Sequence, residues 1–296
     1  MAQISYDAGQ QPRLLFCESS SVPSDSKSAD VIKAYKDISK SINLKNLVIN
    51  SVIQQQDRQL LLIEAPQVES SELNDAARWK IKDMIDFSVD DAVIDVIEIP
   101  NIKELKRTPM LYAVVVKRDI IQSVVDLCNN CGNELSVIDI PDMAQRNVAA
   151  LLSEDQNGVA VLAINSNSSL LTITRQGELY LSRELETGFE QLMATVQNQD
   201  SDLDPGSVGM LQALERMVLE VQRSLDYYES QYNQPQINAL YLAPFAYDIP
   251  EIKDYFSSQL GIKTRMLDFN VLFSTNEPIA YQLQSDAFKA VGAALR

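Results

Sequence analysis

Histidine is absent from the 296 residues, which removes Ser-His-Asp and Cys-His catalysis and every histidine-ligated metal site. Positive charge is scarce: 25 bases against 41 acids leave a net charge of -16, which repels phosphate backbones and anionic lipid headgroups alike. The richest basic stretch, IKELKRTP at 102–109, sets its three bases around an acid, so nucleic-acid binding is not expected. No apolar run approaches the ~18 residues a membrane span needs, and the opening MAQISYDAGQQ lacks the basic and apolar parts of a signal peptide. A cytoplasmic chain without direct membrane insertion is the expectation. Cysteine is limited to three residues. Cys128 and Cys131 have C-x-x-C spacing, but they end a helix predicted over 119–131 with Gly132 as its stop, where the dipole disfavours a thiolate. Cys17 supplies no second zinc pair, so all three cysteines read as structural.

What remains is a chain with 46% hydrophobic residues, long enough for about two domains and a substantial core. Strands and helices alternate. QISYDAG and PRLLFCES form a predicted hairpin around the turn Gly9–Pro12, and a helix is predicted over 29–42. NLVINSVI, RQLLLIEAP, AVIDVIEIP, MLYAVVVK and ELSVIDIP read as further strands, with a helix over 142–152 after the Pro-Asp signal. The polar joint SEDQNG, 153–158, reads as a domain boundary. Beyond it lie three apolar strands, VAVLAIN, SLLTITR and GELYLSREL, and a polar loop over 199–209. The strongest helical pattern follows: Leu211, Leu214, Val218, Val221, Leu225, Tyr228 and Tyr232 share one face. The Asp200, Asp202 and Asp204 alternation resembles the start of an EF-hand loop but lacks its glycine and closing glutamate, and reads as solvated loop. The second half opens with three strands before its helix and the first with only two, so one strand is missing from the front.

ARWKIKDMIDF, 77–87, reads as a helix starting near Ser70 or Ser71, either of which could cap it. Leu73, Ala76, Ala77, Ile81, Met84 and Ile85 fall on its apolar half, while Arg78, Trp79, Lys82 and Asp86 fall on the other. The only tryptophan therefore stands among charges. Either it packs beneath a neighbouring strand or loop, or it is an aromatic anchor for a partner.

Three segments, ARWKIKDMIDFSVDDAVIDVIEIP, DIPDMAQRN and LEVQRSLDYYESQYNQP, resemble in order the type IV pilus assembly protein PilM family, most closely its MSHA pilus branch. The likeness runs from Leu14 to Arg296. It implies an α/β, actin-like ATPase fold of two ribonuclease-H-like lobes: a first lobe over 1–157 with a small α/β insertion at about 52–135, and a second over 158–296. It also implies a place at the cytoplasmic face of the inner membrane among other pilus assembly-platform proteins. There the family binds the N-terminal cytoplasmic tail of a bitopic PilN-like protein, between the insertion and the first lobe. Arg78, Trp79, Lys82 and Asp86 lie in the insertion and are the candidate partner-binding residues.

Actin-like folds hold ATP with magnesium between their lobes, on glycine-bearing turns and metal-holding acids. Here the first phosphate turn is expected to be lost with the missing strand, Asp7-Ala8-Gly9 reads as the next turn along, and the second turn, Asn165–Ser169, has neither acid nor glycine. Ala243 and Pro244 stand where adenosine-binding glycines are expected. The sequence thus reads as a degenerate ATPase scaffold with no catalytic, cofactor or metal residues. The alternative is an ATP-binding switch of the same machine.

Overall fold

The computed structural model describes residues 1–6, 11–23, 28–42, 47–100, 108–193, 205–247 and 249–296. The proposed turn residues Asp7 to Gln10, most of the basic loop, and Asp200, Asp202 and Asp204 lie outside them. The first half runs β1 (Ala2–Ser5), β2 (Arg13–Cys17), α1 (Ser28–Ser39), β3 (Ile49–Val52), β4 (Arg58–Glu64), α2 (Leu73–Ile81), β5 (Ala92–Glu98), β6 (Met110–Lys117), α3 (Arg118–Asn130), β7 (Leu135–Asp139) and α4 (Pro141–Ala149). The second runs β8 (Val159–Ile164), β9 (Ser169–Arg175), β10 (Glu178–Leu185), α5 (Phe189–Met193), α6 (Pro205–Tyr232), β11 (Ala239–Leu242), α7 (Ile252–Leu260), β12 (Lys263–Met266), α8 (Phe269–Leu272), β13 (Ser274–Thr275) and α9 (Tyr281–Ala294).

The second half is built on a five-stranded sheet in the order β10-β9-β8-β11-β12. Its central strand, VAVLAI, is buried at all six positions, as an apolar run covered on both faces must be. Ala160, Leu162 and Ile164 face the core under α6, whereas Val159, Val161 and Ala163 face α4 and α9. On α6 the predicted stripe holds for Leu214, Val221, Leu225, Tyr228 and Tyr232, which are buried. Leu211 is exposed instead, and Ala213, Met217 and Ser224 turn inward, so the buried face is rotated slightly from the predicted one. The helix begins at Pro205, inside the stretch read as loop. Tyr228 and Tyr232 both meet Tyr180 edge-on, with ring centroids 5.6 and 5.4 Å away.

The first half repeats this plan with a gap. β1 pairs antiparallel with β2 and β3 pairs parallel with β7, matching β9 with β10 and β11 with β12. Among the described residues no strand stands between β1 and β3, where β8 stands in the second half. Between β3 and β7 the chain makes a separate antiparallel sheet, β4-β6-β5. Leu111, Ala113 and Val115 of β6 pack under α2, while Tyr112 on the opposite face joins the core of the second half. The insertion is thereby fastened to the body.

Two differences from the sequence reading have simple causes. The SEDQNG joint is a packed 3-10 turn, Ser153–Asn157, because buried Asp155 accepts from Thr174 Oγ1 and the Gly177 N–H, both at 2.6 Å. The chain's end also crosses the division at residue 157: β13 pairs with β2, and α9 packs on α4, β1 and β3. That crossing depends on Gly292, where a Cβ would collide with the Ala144 backbone, and it is tied by Asn147 Nδ2 donating to the Gly292 carbonyl at 2.9 Å. Gly292→Ala should therefore cost about 1–3 kcal/mol in urea unfolding through overpacking; a loss under about 0.5 kcal/mol, typical of a surface change, would show that the helices do not meet there.

Candidate functional site

On α2, Leu73, Ala77 and Ile81 recur every four residues and are buried against the insertion sheet. Trp79 lies two residues from Ala77, about 200° around the helix, and is 77% exposed. The reading that packs it beneath a strand or loop is therefore wrong. Neither Ser70 nor Ser71 caps the helix by its side chain; both lie in a 3-10 turn, Ser70–Glu72, that leads into it. Met84, expected on the apolar face, is 50% exposed because the helix ends at Ile81 and the chain turns away. No glycine or proline between Ile81 and Phe87 announces that end.

The four candidate residues divide by role. Arg78 donates to the Val89 carbonyl at 2.6 Å, and Asp86 accepts from Gln59 Nε2 at 3.0 Å, so both brace the insertion. Trp79 and Lys82 are exposed, and Lys80, which donates to the Glu64 carbonyl at 2.9 Å, is exposed beside them. Together with Met84 they set two exposed apolar side chains among charges of both signs, since Asp75, Asp83 and Asp86 are exposed as well. Tryptophan and methionine with cations suit docking of an amphipathic peptide.

A second constellation joins the insertion to both halves. Arg58 of β4 donates from Nε and Nη2 to the two oxygens of Asp142, at 2.8 and 2.9 Å, and both side chains are buried. Asp142 stands in the first turn of α4, where the helix dipole favours a carboxylate, and it also accepts from Ser182 Oγ of β10. Glu184 lies 3.6 Å from Arg58 Nη1. Lys289 of α9 points toward the same charges, and burial, then Arg58, lower its pKa, with Asp142 acting in the opposite sense. Tyr112 Oη accepts from the Ser182 N–H at 3.1 Å, and burial pushes its phenol up to about 12. One turn along α4, Gln145 Nε2 donates to Val161 O, Leu170 O and Thr172 Oγ1, pinning α4 to the second sheet. The segment DIPDMAQRN is thus a structural hub.

The Asn165–Ser169 turn, which stands at the position of the family's second phosphate turn, is engaged by the protein itself. Gln55 donates to Ser168 Oγ and accepts from Asn165 Nδ2, both at 3.1 Å. The Asn165 and Ser166 carbonyls accept from the Phe189 and Glu190 N–H groups at 2.7 and 2.8 Å. Asn167, with its amide nitrogen turned toward Glu190, donates to that carboxylate at 2.6 Å. Gly188 lies so close to the Asn167 and Ser168 backbone that a Cβ would collide with it. The turn carries neither glycine nor acid, and two of its carbonyls and the Asn167 side chain are bound to α5.

At the end of α3, Gly132 adopts φ +76°, ending the helix as its position predicts, and Cys128 is buried. Burial raises the pKa of both Cys128 and Cys131. Among the described residues no cluster of three or more cysteines and acids is placed to hold a metal ion, and no helix is long and apolar enough to cross a membrane.

Two outcomes follow from this geometry. Arg58→Met leaves Asp142 buried without its cation and should cost about 3–5 kcal/mol in urea unfolding, part of which Arg58→Met with Asp142→Asn recovers; a single-variant loss under about 1 kcal/mol would place the pair with exposed, weak ones. At pH 8 Cys128 should react with a disulfide reagent at least about tenfold more slowly than free cysteine, because its raised pKa leaves less thiolate. An equal rate would remove the structural reading.

No protein-family model matches the chain, and no curated protein matches its sequence. Among solved structures, the PilM–PilN type IV pilus biogenesis complex contains a chain 18% identical that superposes with a TM-score of 0.76, covering 99% of this chain and 94% of that one. A Bacteroides thetaiotaomicron protein of actin-like ATPase fold and unknown function is 10% identical, with a TM-score of 0.47 and coverage of 86% and 80%. The cytoplasmic domain of EpsL, an inner-membrane component of the Vibrio cholerae type II secretion system, is 12% identical, with a TM-score of 0.42 and coverage of 88% and 80%. The near-complete first match and the strand order establish the architecture: this chain has the actin-like, two-lobed fold with an inserted α/β subdomain.

Proposed function

We propose that the protein is a non-catalytic component of a type IV pilus assembly platform, of the MSHA type, that binds the N-terminal cytoplasmic tail of a PilN-like inner-membrane protein. The observation that carries this reading is the fold match over 99% of the chain to a chain of the PilM–PilN type IV pilus biogenesis complex. The MSHA assignment rests on the residue likeness in the insertion, in α4 and in α6. Attachment to the inner membrane is through the partner, and other platform proteins assemble around the pair.

The tail docks against the insertion, with Trp79 as its aromatic contact and Lys82 beside it. The exposure of Trp79 and Met84 on a helix whose inner face is well packed supports that placement. The acidic net charge of the body favours the Lys/Arg-rich segments found on the cytoplasmic side of membrane helices. The non-catalytic reading is supported by the engaged Asn165–Ser169 turn and by Pro244, which has no N–H to offer a nucleotide.

Trp79 is the only tryptophan, so its emission reports the docking directly. A synthetic PilN-like tail peptide should shift that emission to shorter wavelength, and Trp79→Ala should lose about 2 kcal/mol of binding, as hot-spot aromatics do. Saturating peptide that leaves both the emission and the variant's affinity unchanged would refute the placement. Isothermal titration with ATP and magnesium should give no micromolar binding; micromolar affinity would favour a nucleotide-driven switch of the same machine.

A further inference from the structure

The charges on the outer face of α2 form a pattern around its tryptophan. Asp75 stands one turn before Trp79 and Asp83 one turn after it, each within about 40° of the indole around the helix axis. Lys82 keeps the helical conformation at the end of α2, and the Met84 N–H donates to the Ile81 carbonyl at 2.8 Å, so the chain winds on far enough to hold Asp83 in line. Glu72, at the head of the helix, adds a third exposed carboxylate. Asp75, Trp79 and Asp83 are all exposed, and among the described residues neither the Asp75 nor the Asp83 carboxylate has an ion pair or a hydrogen bond.

The neighbouring cations do not answer these acids. Arg78 is spent on the Val89 carbonyl, and Lys80 on the Glu64 carbonyl, with the Glu64 carboxylate 4.0 Å away. Lys82 lies about 60° from Trp79 on the side away from Asp83. An indole bordered by two open carboxylates has a definite chemical complement. Its ring face attracts a cation more strongly than the other aromatics do, and a guanidinium can lie flat on it while turning an N–H edge to a carboxylate. Side chains one turn apart on a helix are about 5–6 Å apart at Cβ, so a guanidinium stacked on Trp79 has a carboxylate within reach on either side. A lysine ammonium has no planar edge and holds its water more firmly.

We propose that Trp79, Asp75 and Asp83 form a receptor for one arginine side chain, supplied by the PilN-like tail; the identity of the supplier rests on the docking reading above. Charge complementarity selects this occupant. The open carboxylates on either side of the indole repel an acidic side chain and attract a basic one, and segments on the cytoplasmic side of membrane helices are rich in arginine and lysine. Met84, 50% exposed just beyond Asp83, offers apolar contact to the residue beside that arginine. The tail is thereby recognised by the pairing of one guanidinium with an apolar neighbour.

The probe is the peptide acetyl-Gly-Leu-Arg-Leu-Gly-amide, added to the full chain labelled with nitrogen-15, whose one tryptophan gives a single indole N–H resonance. The peptide should move that resonance. It should bind about fivefold more tightly than a version with citrulline, which keeps the shape of arginine and loses its charge, and about twofold more tightly than a version with lysine. Asp75→Asn with Asp83→Asn, checked for native circular dichroism, should bring the arginine peptide down to the affinity of the citrulline one. An indole resonance unmoved at millimolar peptide, equal binding of the arginine and citrulline peptides, or undiminished binding by the double variant would overturn the receptor. The two readings fail separately. A PilN-like tail peptide that shifts Trp79 emission with equal affinity in the double variant overturns the arginine contact and leaves tail docking standing, whereas a tail that leaves the emission unchanged while the arginine peptide moves the indole overturns the docking alone.

Discussion

The buried ion pair of Arg58 and Asp142 is the constraint around which the molecule is arranged. An arginine from the insertion, a carboxylate at the start of α4 and a hydroxyl from β10 meet where water is excluded, and none of these groups can be left unpaired there without a large penalty. The geometry therefore sets the position of the insertion sheet against both halves at once. Gln55 with Asn165 and Ser168 extends the clasp to the turn between β8 and β9.

α4 carries much of that arrangement within one short helix. Its Asp142 meets the insertion, its Gln145 the second sheet and its Asn147 the last helix, so residues within about a turn and a half reach three different parts of the chain. α9 reaches α4 only because Gly292 lacks a side chain. β6, with one side under α2 and the other in the core of the second half, holds the Trp79 helix to the body while leaving its outer surface free.

The two halves share a strand plan but not its completion. One sheet is closed around a central apolar strand and is buried throughout; the other is divided, with half-buried edges facing a cavity.

Much of the architecture was legible in the residues themselves. The hairpin of β1 and β2, the buried runs of β6 and β8, the stop at Gly132 and the uneven strand count of the halves all follow from local periodicity and turn chemistry, which act over a few residues and leave a readable pattern. The orientation of Trp79 away from the buried stripe was equally plain on the helical wheel. What the wheel could not decide was whether anything covered that outer face; only the packing of the insertion left it bare. The early end of α2, the burial of Asp155 in an apparent linker, the return of α9 to the first half and the pairing of Arg58 with Asp142, 84 residues later, depend on contacts between segments far apart in the chain. A charged or polar residue in such a place looks like surface in the sequence, because the partner that permits its burial is brought there only by the fold.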